Sequence, residues 1–151
     1  MNRTCAVLAL ILAASPLEAR PRPAVEHIGQ PMLKGTRLPF SEAVRVGDIL
    51  FLSGQLGLKP DGTLPAEFNA QALQTMDNIG GVLAKAGLGW GDVVKCTVML
   101  DDMANWPAFN KIYVTYFKNG AYPARSAFGA DGLALGAALE VECIAYAPIK
   151  K

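Results

Sequence analysis

Two charged residues stand out by type and spacing. Arg125 follows Pro123-Ala124, and the proline fixes the backbone that aims this long cationic side chain. Glu140 lies in Leu139-Glu140-Val141-Glu142-Cys143-Ile144-Ala145, where apolar and acidic residues alternate with period two. Read as a strand, this stretch puts Leu139, Val141, Cys143 and Ala145 on one face and Glu140 and Glu142 on the other. An arginine fork suits a small carboxylate, and a nearby glutamate can move protons on or off a water. Fifteen residues separate the two, enough for the chain to turn between Gly132 and Gly136 and bring them together. The same spacing also fits an ordinary structural ion pair, which is the commoner outcome.

Other chemistries are poorly supplied. His27 is the single histidine, and Cys5, Cys96 and Cys143 lack the spacing of metal ligands, so a metal site is not expected. Alternation places Cys96 with Val94, Val98 and Leu100 on an apolar face, and Cys143 on the face of Val141 and Ala145. Such cysteines pack as small hydrophobes or, in an oxidising compartment, form a disulfide if their strands are neighbours. The sequence does not show whether they are.

The elements that must position these residues follow from periodicity. Ala43 to Val46 and Ile49 to Ser53 read as a strand pair joined at Gly47-Asp48. Ser53-Gly54-Gln55 ends the second strand, its glycine marking close approach of a ligand or a bulge. Ala66 to Ala86 reads as a helix with Phe68, Ala72, Met76, Ile79, Leu83 and Ala86 in one stripe and a stop at Gly87. Gly80-Gly81 inside it implies either very close packing or a kink. Val93 to Leu100 is a strand with Lys95, Thr97 and Met99 on one face. Pro107 opens a second helix whose Phe109, Ile112, Tyr113, Tyr116 and Phe117 form a core stripe, with Asn110 off it. This order gives an α+β layer fold with both helices on one face of the sheet. The opposite face would carry Lys95, Thr97, Met99, Glu140, Glu142, Ile144 and Tyr146, a mixture suited to a partner subunit and a polar cleft.

Arg3, an apolar run from Cys5 to Ala14 and the small residue Ala19 have the layout of a secretory signal. The run is too short to span a bilayer as a stable helix. Residues 1–19 are therefore expected to be removed on export to the periplasm or beyond. Residues 20–38, rich in proline and polar side chains, are expected as an extended lead-in, and residues 39–151 as one domain. Fourteen basic and thirteen acidic residues give a net charge of +1, without the basic footprint of a nucleic-acid binder. After signal removal no stretch is long enough to cross a membrane.

The order Ser53-Gly54-Gln55, Asn78-Ile79, Phe109-Asn110-Lys111-Ile112-Tyr113, Pro123-Ala124-Arg125-Ser126 and Glu140-Val141-Glu142-Cys143-Ile144-Ala145 resembles the reactive intermediate deaminase (Rid, YjgF-like) family. The resemblance runs from about Pro39 to Ala147 and implies a chorismate-mutase-like mixed sheet and a homotrimer with clefts between subunits. It places the family's carboxylate-binding arginine on Arg125 and its acid on Glu140. Asn110, Ser53, Gly54 and Phe40 fall on the remaining substrate-binding positions. Two of the matches depart in kind. Ala127 stands where deaminases carry a cysteine or hydroxyl residue, and Phe40 where tyrosine is frequent; neither supplies a polar side-chain atom. Leu133-Ala134-Leu135-Gly136 also lacks a proline common there. The implied activity is cofactor-independent hydrolysis of small imino acids, of the 2-iminopropanoate or 2-iminobutanoate type, to 2-keto acids and ammonia. The competing reading is a non-catalytic trimer that binds small carboxylates. Action on RNA conflicts with the near-neutral charge and with export.

Overall fold

Turn glycines and period-two stretches divide the chain into short strands, and the computed structural model, which describes residues 22–148, follows that division. The first half holds β1 (Val25–Ile28), β2 (Met32–Leu33), β3 (Thr36–Arg37), β4 (Ala43–Val46), β5 (Ile49–Leu52), β6 (Gln55–Leu56) and α1 (Phe68–Lys85). The second half holds β7 (Val93–Leu100), α2 (Trp106–Tyr113), β8 (Ala124–Gly129) and β9 (Leu139–Tyr146). The main sheet runs β1-β4-β5-β9-β7-β8, with β6 also paired to β9. Only β7 and β8 are parallel, and α2 makes the crossover between them. The result is an α+β fold with the two helices packed on one face of a mixed sheet.

Within the stretch expected as an extended lead-in, residues 22–38 also form strands. β1 extends the sheet beside β4. The β2–β3 hairpin turns through Lys34 and Gly35, whose φ values of 47° and 80° match a turn that needs both central residues left-handed. The signal expected at residues 1–19 lies outside the described residues.

The core sits between the sheet and the helices. Ala72, Met76, Ile79 and Leu83 of α1 are fully buried against Leu50, Cys96, Val98, Leu100, Leu139 and Val141. α1 ends as its glycine requires: Gly87 takes φ 73°, its N–H donates to Ala84 O, and the Leu88 N–H donates to Leu83 O. The helix is unbroken across Gly80-Gly81. A β-carbon on Gly80 would stand 3.4 Å from Trp90 Nε1, in ordinary contact, and Gly81 faces open space, so neither the expected kink nor a very close approach is found there. α2 is shorter than its aromatic stripe suggests, with 3-10 turns at Val114–Tyr116 and Lys118–Gly120 carrying the chain onward.

The expected alternation of β7 fails at one end. The register against β9 shifts between Val93 and Lys95, which turns Val93 inward and leaves Val94 46% exposed. From Cys96 onward the pattern holds. Cys96 and Cys143 are directly opposed on neighbouring strands and form a disulfide, which answers the question the sequence left open.

Candidate functional site

Arg125 is the second residue of β8, and its register partner on β7 is Cys96. Register partners share a face of the sheet, so Arg125 projects toward the helices. There its guanidinium carbon lies 4.4 Å from the Trp106 ring centroid and 4.5 Å from that of Tyr113. Flat, weakly hydrated guanidinium suits this placement against two π-faces. Trp106, Asn110 and Tyr113 are four and three residues apart, so Asn110 shares the α2 face that holds the arginine. The Tyr113 hydroxyl is buried without a hydrogen-bond partner among the described residues. Burial pushes its phenol up to about 12, with Arg125 pulling the other way.

Glu140 occupies the other face. Its register partners are Met99 on β7 and Leu56 on β6, and its neighbours Leu139 and Val141 point into the core. Burial first, and the adjacent Glu142 second, hold its carboxyl above the ordinary glutamate range. The backbone beside it is irregular for a clear reason. β5 pairs with β9 as far as Phe51–Ile144, and β6 resumes at Gln55–Val141. Leu52, Ser53 and Gly54 therefore oppose only Cys143 and Glu142, a bulge of one residue. A β-carbon on Gly54 would overlap the Glu140 carboxylate. Glycine here is a requirement of close approach, and the approaching group is the candidate acid.

Ser53 and Phe40 complete this second cluster. Ser53 Oγ donates to Ser41 O at 2.7 Å, and Ser53 N–H donates to Glu42 O at 3.0 Å. These bonds tie the bulge to the segment that carries Phe40. Gln30 Nε2 donates to Leu38 O and Phe40 O at 2.9 and 3.3 Å, which fixes that segment from its other side. The Phe40 residue is 46% exposed. Together with Gly54 it borders a cavity of ≈ 630 Å³ between the β2–β3 hairpin, β6 and α1.

The six residues picked from sequence thus fall into two clusters. Arg125 and Asn110 stand on the helix side, while Glu140, Ser53, Gly54 and Phe40 gather at the β5–β6 bulge. The expectation that a turn at Gly132 to Gly136 unites Arg125 with Glu140 within one chain is corrected. The two residues project from opposite faces, and β7 runs between their strands. The ion pairs found among the described residues are Arg45–Glu26 and Lys85–Glu42. Ala127 lies two residues beyond Arg125 on the same face, packed against the core. No group of three or more His, Cys, Asp or Glu residues able to hold a metal forms among the described residues.

Sequence reasoning missed the part of Trp106 and Tyr113. The aromatic stripe of α2 was read as plain core, although a tryptophan at the helix start seven residues before a tyrosine gives a two-ring face. Nothing in the spacing tied that face to Arg125.

The chain matches the family model described as Endoribonuclease L-PSP over residues 34–147. It is similar to the 2-iminobutanoate/2-iminopropanoate deaminase of Mus musculus, 40% identical over 109 residues that cover 71% of this chain and 80% of the relative. Among solved structures it is similar to E. coli TdcF with bound serine, with a TM-score of 0.73 and 31% identity over 80% of this chain and 98% of that one. RidA from an Antarctic Psychrobacter gives a TM-score of 0.73 and 34% identity, with the same shares covered.

Proposed function

This chain belongs to the reactive intermediate deaminase (YjgF-like) family, whose model carries the description Endoribonuclease L-PSP, and from that premise we propose that it hydrolyses small 2-imino acids to 2-keto acids and ammonia. The observation that carries the reading is the division of the site. A ring-held guanidinium and a carboxyl with a raised pKa point from opposite faces of one sheet, as a site shared between copies requires. In a homotrimer, Arg125 and Asn110 of one subunit meet Glu140, Ser53, Gly54 and Phe40 of the next. The half-polar sheet face, with Phe51, Phe128 and Tyr146 each close to half exposed, supplies the surface that such an assembly buries.

In this site Arg125 clamps the substrate carboxylate through two parallel hydrogen bonds. The similar E. coli structure holds serine, itself a small carboxylate, which supports a ligand of this kind. A water oxygen attacks the electrophilic imine carbon while Glu140 accepts a proton from it. Glu140 returns that proton to the nitrogen of the carbinolamine formed from the protonated imine; as the C–N bond breaks, the hydroxyl gives its proton to Glu140, the C=O bond forms, and the keto acid and ammonia leave. A pKa raised by burial shifts this carboxyl toward the range in which one group can both accept and donate a proton. Ammonia release from freshly generated 2-iminopropanoate and 2-iminobutanoate tests the reading, with a rate above the uncatalysed one expected.

A second reading, a non-catalytic trimer that captures carboxylates, is favoured by Ala127 and Phe40, which offer no polar side-chain atom to hold a water. Keto-acid binding without ammonia release would select it. Export is proposed from Arg3, the apolar run and Ala19, and the disulfide fits an oxidising compartment. Mass spectrometry of the protein from its host should find a chain starting near Arg20, and an intact Met1 on cytoplasmic protein defeats that proposal.

A further inference from the structure

We propose that the cavity beside Phe40 and Gly54 receives the substrate's side chain, so that this protein acts on 2-imino acids with branched or aromatic apolar side chains. The inference rests on the reading that Phe40 and Gly54 border the substrate, and it adds what lies beyond them. The cavity, open to solvent on one side, measures ≈ 630 Å³. That is far more room than a three-carbon acid needs, and it falls within the roughly 300–1,000 Å³ of sites for larger organic ligands.

The walls say what kind of group fits. Met32, Leu33, Leu56, Leu58, Val82 and Leu135 line the cavity with Phe40. Four polar side chains on its wall already have partners. Asn78 Nδ2 donates to Leu56 O and Leu58 O, both at 2.9 Å, and Gln55 Nε2 donates to Ser53 O. Asp77 accepts from the Tyr116 hydroxyl at 2.8 Å, and Lys85 is held by Glu42. Lys59 also borders the cavity and is exposed, so an apolar group set against the methionine and leucine wall leaves that cation in water.

Two further features mark the cavity as a side-chain pocket of this chain. Gly81, on its α1 wall, has nothing within 4 Å of where a β-carbon would stand, so any larger residue there would project into the open space. Glycine in a helix interior is otherwise unfavourable, and the vacancy it leaves needs a use. The hairpin that forms the facing wall is closed at its base by the Leu38 N–H donating to Pro31 O at 3.0 Å, so built backbone bounds the cavity on that side.

The test compares the products pyruvate, 4-methyl-2-oxopentanoate and phenylpyruvate by calorimetric titration, beside ammonia release from the matching imino acids. The wild-type protein is expected to bind 4-methyl-2-oxopentanoate roughly tenfold or more tightly than pyruvate, since each methylene in an apolar pocket is worth at least that much. Gly81→Leu should abolish this preference and leave pyruvate binding unchanged. Gly81→Ala, which adds one methyl group and improves helix propensity, should melt no lower than wild type and show that the position tolerates substitution. Equal affinity for all three keto acids in the wild type overturns the proposal, as does a preference that survives in folded Gly81→Leu. Should the keto acids bind in the expected order without ammonia release from any imine, the pocket stands and the deaminase reading falls. Should 2-iminopropanoate be processed as fast as the longer imines, the pocket falls and the deaminase reading stands.

Discussion

The arginine half and the glutamate half of the candidate site are held by different means. Arg125 comes from a six-residue strand in regular parallel pairing, and its guanidinium rests on two rings of a packed helix. Glu140 also comes from a regular strand, but irregular backbone shapes what surrounds it. The bulge at Ser53-Gly54 admits its carboxylate, and Leu135, held at φ 60°, lines the adjoining cavity. Packing fixes the group proposed to bind, while turns and bulges shape the space around the group proposed to move protons. Changes to the first half should read out in affinity, and changes to the second in turnover.

Glu140→Gln carries the largest expected effect. Loss of a positioned acid–base group should lower turnover about 10²- to 10⁴-fold while keto-acid binding persists. Lost binding with retained turnover would reverse the roles of the two halves. Arg125→Ala should cost about 2–5 kcal/mol of carboxylate affinity, read by titration, and Arg125→Lys should recover only part of it, since it keeps the charge without the fork. The disulfide ties β9, which carries Glu140, to β7, which pairs with Arg125's strand. With its cysteines 47 positions apart, its loss should cost about 4 kcal/mol on a chain-entropy account, read as a lower denaturant midpoint in reductant. Trp106→Leu should weaken carboxylate binding by about 1–2 kcal/mol through loss of one π-face, with Trp106→Phe recovering most of it.

The smallest effect concerns pH. The folded protein raises the Glu140 pKa, so it binds that proton more tightly than the unfolded chain does. Stability contributed by this group is therefore present at low pH and is lost as pH rises from the unfolded value through the folded one. Glu140→Gln should flatten that part of the stability profile, as measured by melting across the acidic range.

How much of this was legible in the sequence varies with the kind of structure. Regular elements were readable because burial imposes their periods: the α1 stripe and the alternation in β9 both appear as the pattern implies. Val94 escaped because a register shift carries no residue signature. Each member of the site could be named from a local motif, yet the grouping could not. Which face a strand residue takes depends on its register, and register is set by long-range pairing. Arg125 and Glu140 were thus placed together by sequence distance and kept apart by β7. Of the two meanings open for Gly54, the bulge is the one found, and the group that comes close to it is the Glu140 side chain.

The most direct measurement is complementation between the two halves. Arg125→Ala and Glu140→Gln proteins, each with little activity alone at substrate well below saturation, are unfolded together in equal amounts and reassembled. If every site draws Arg125 from one subunit and Glu140 from its neighbour, random mixing leaves about one quarter of the sites with both residues intact, and activity should return to about that fraction of wild type. A mixture of fully reassembled oligomers that stays as inactive as its parents would contradict the shared site.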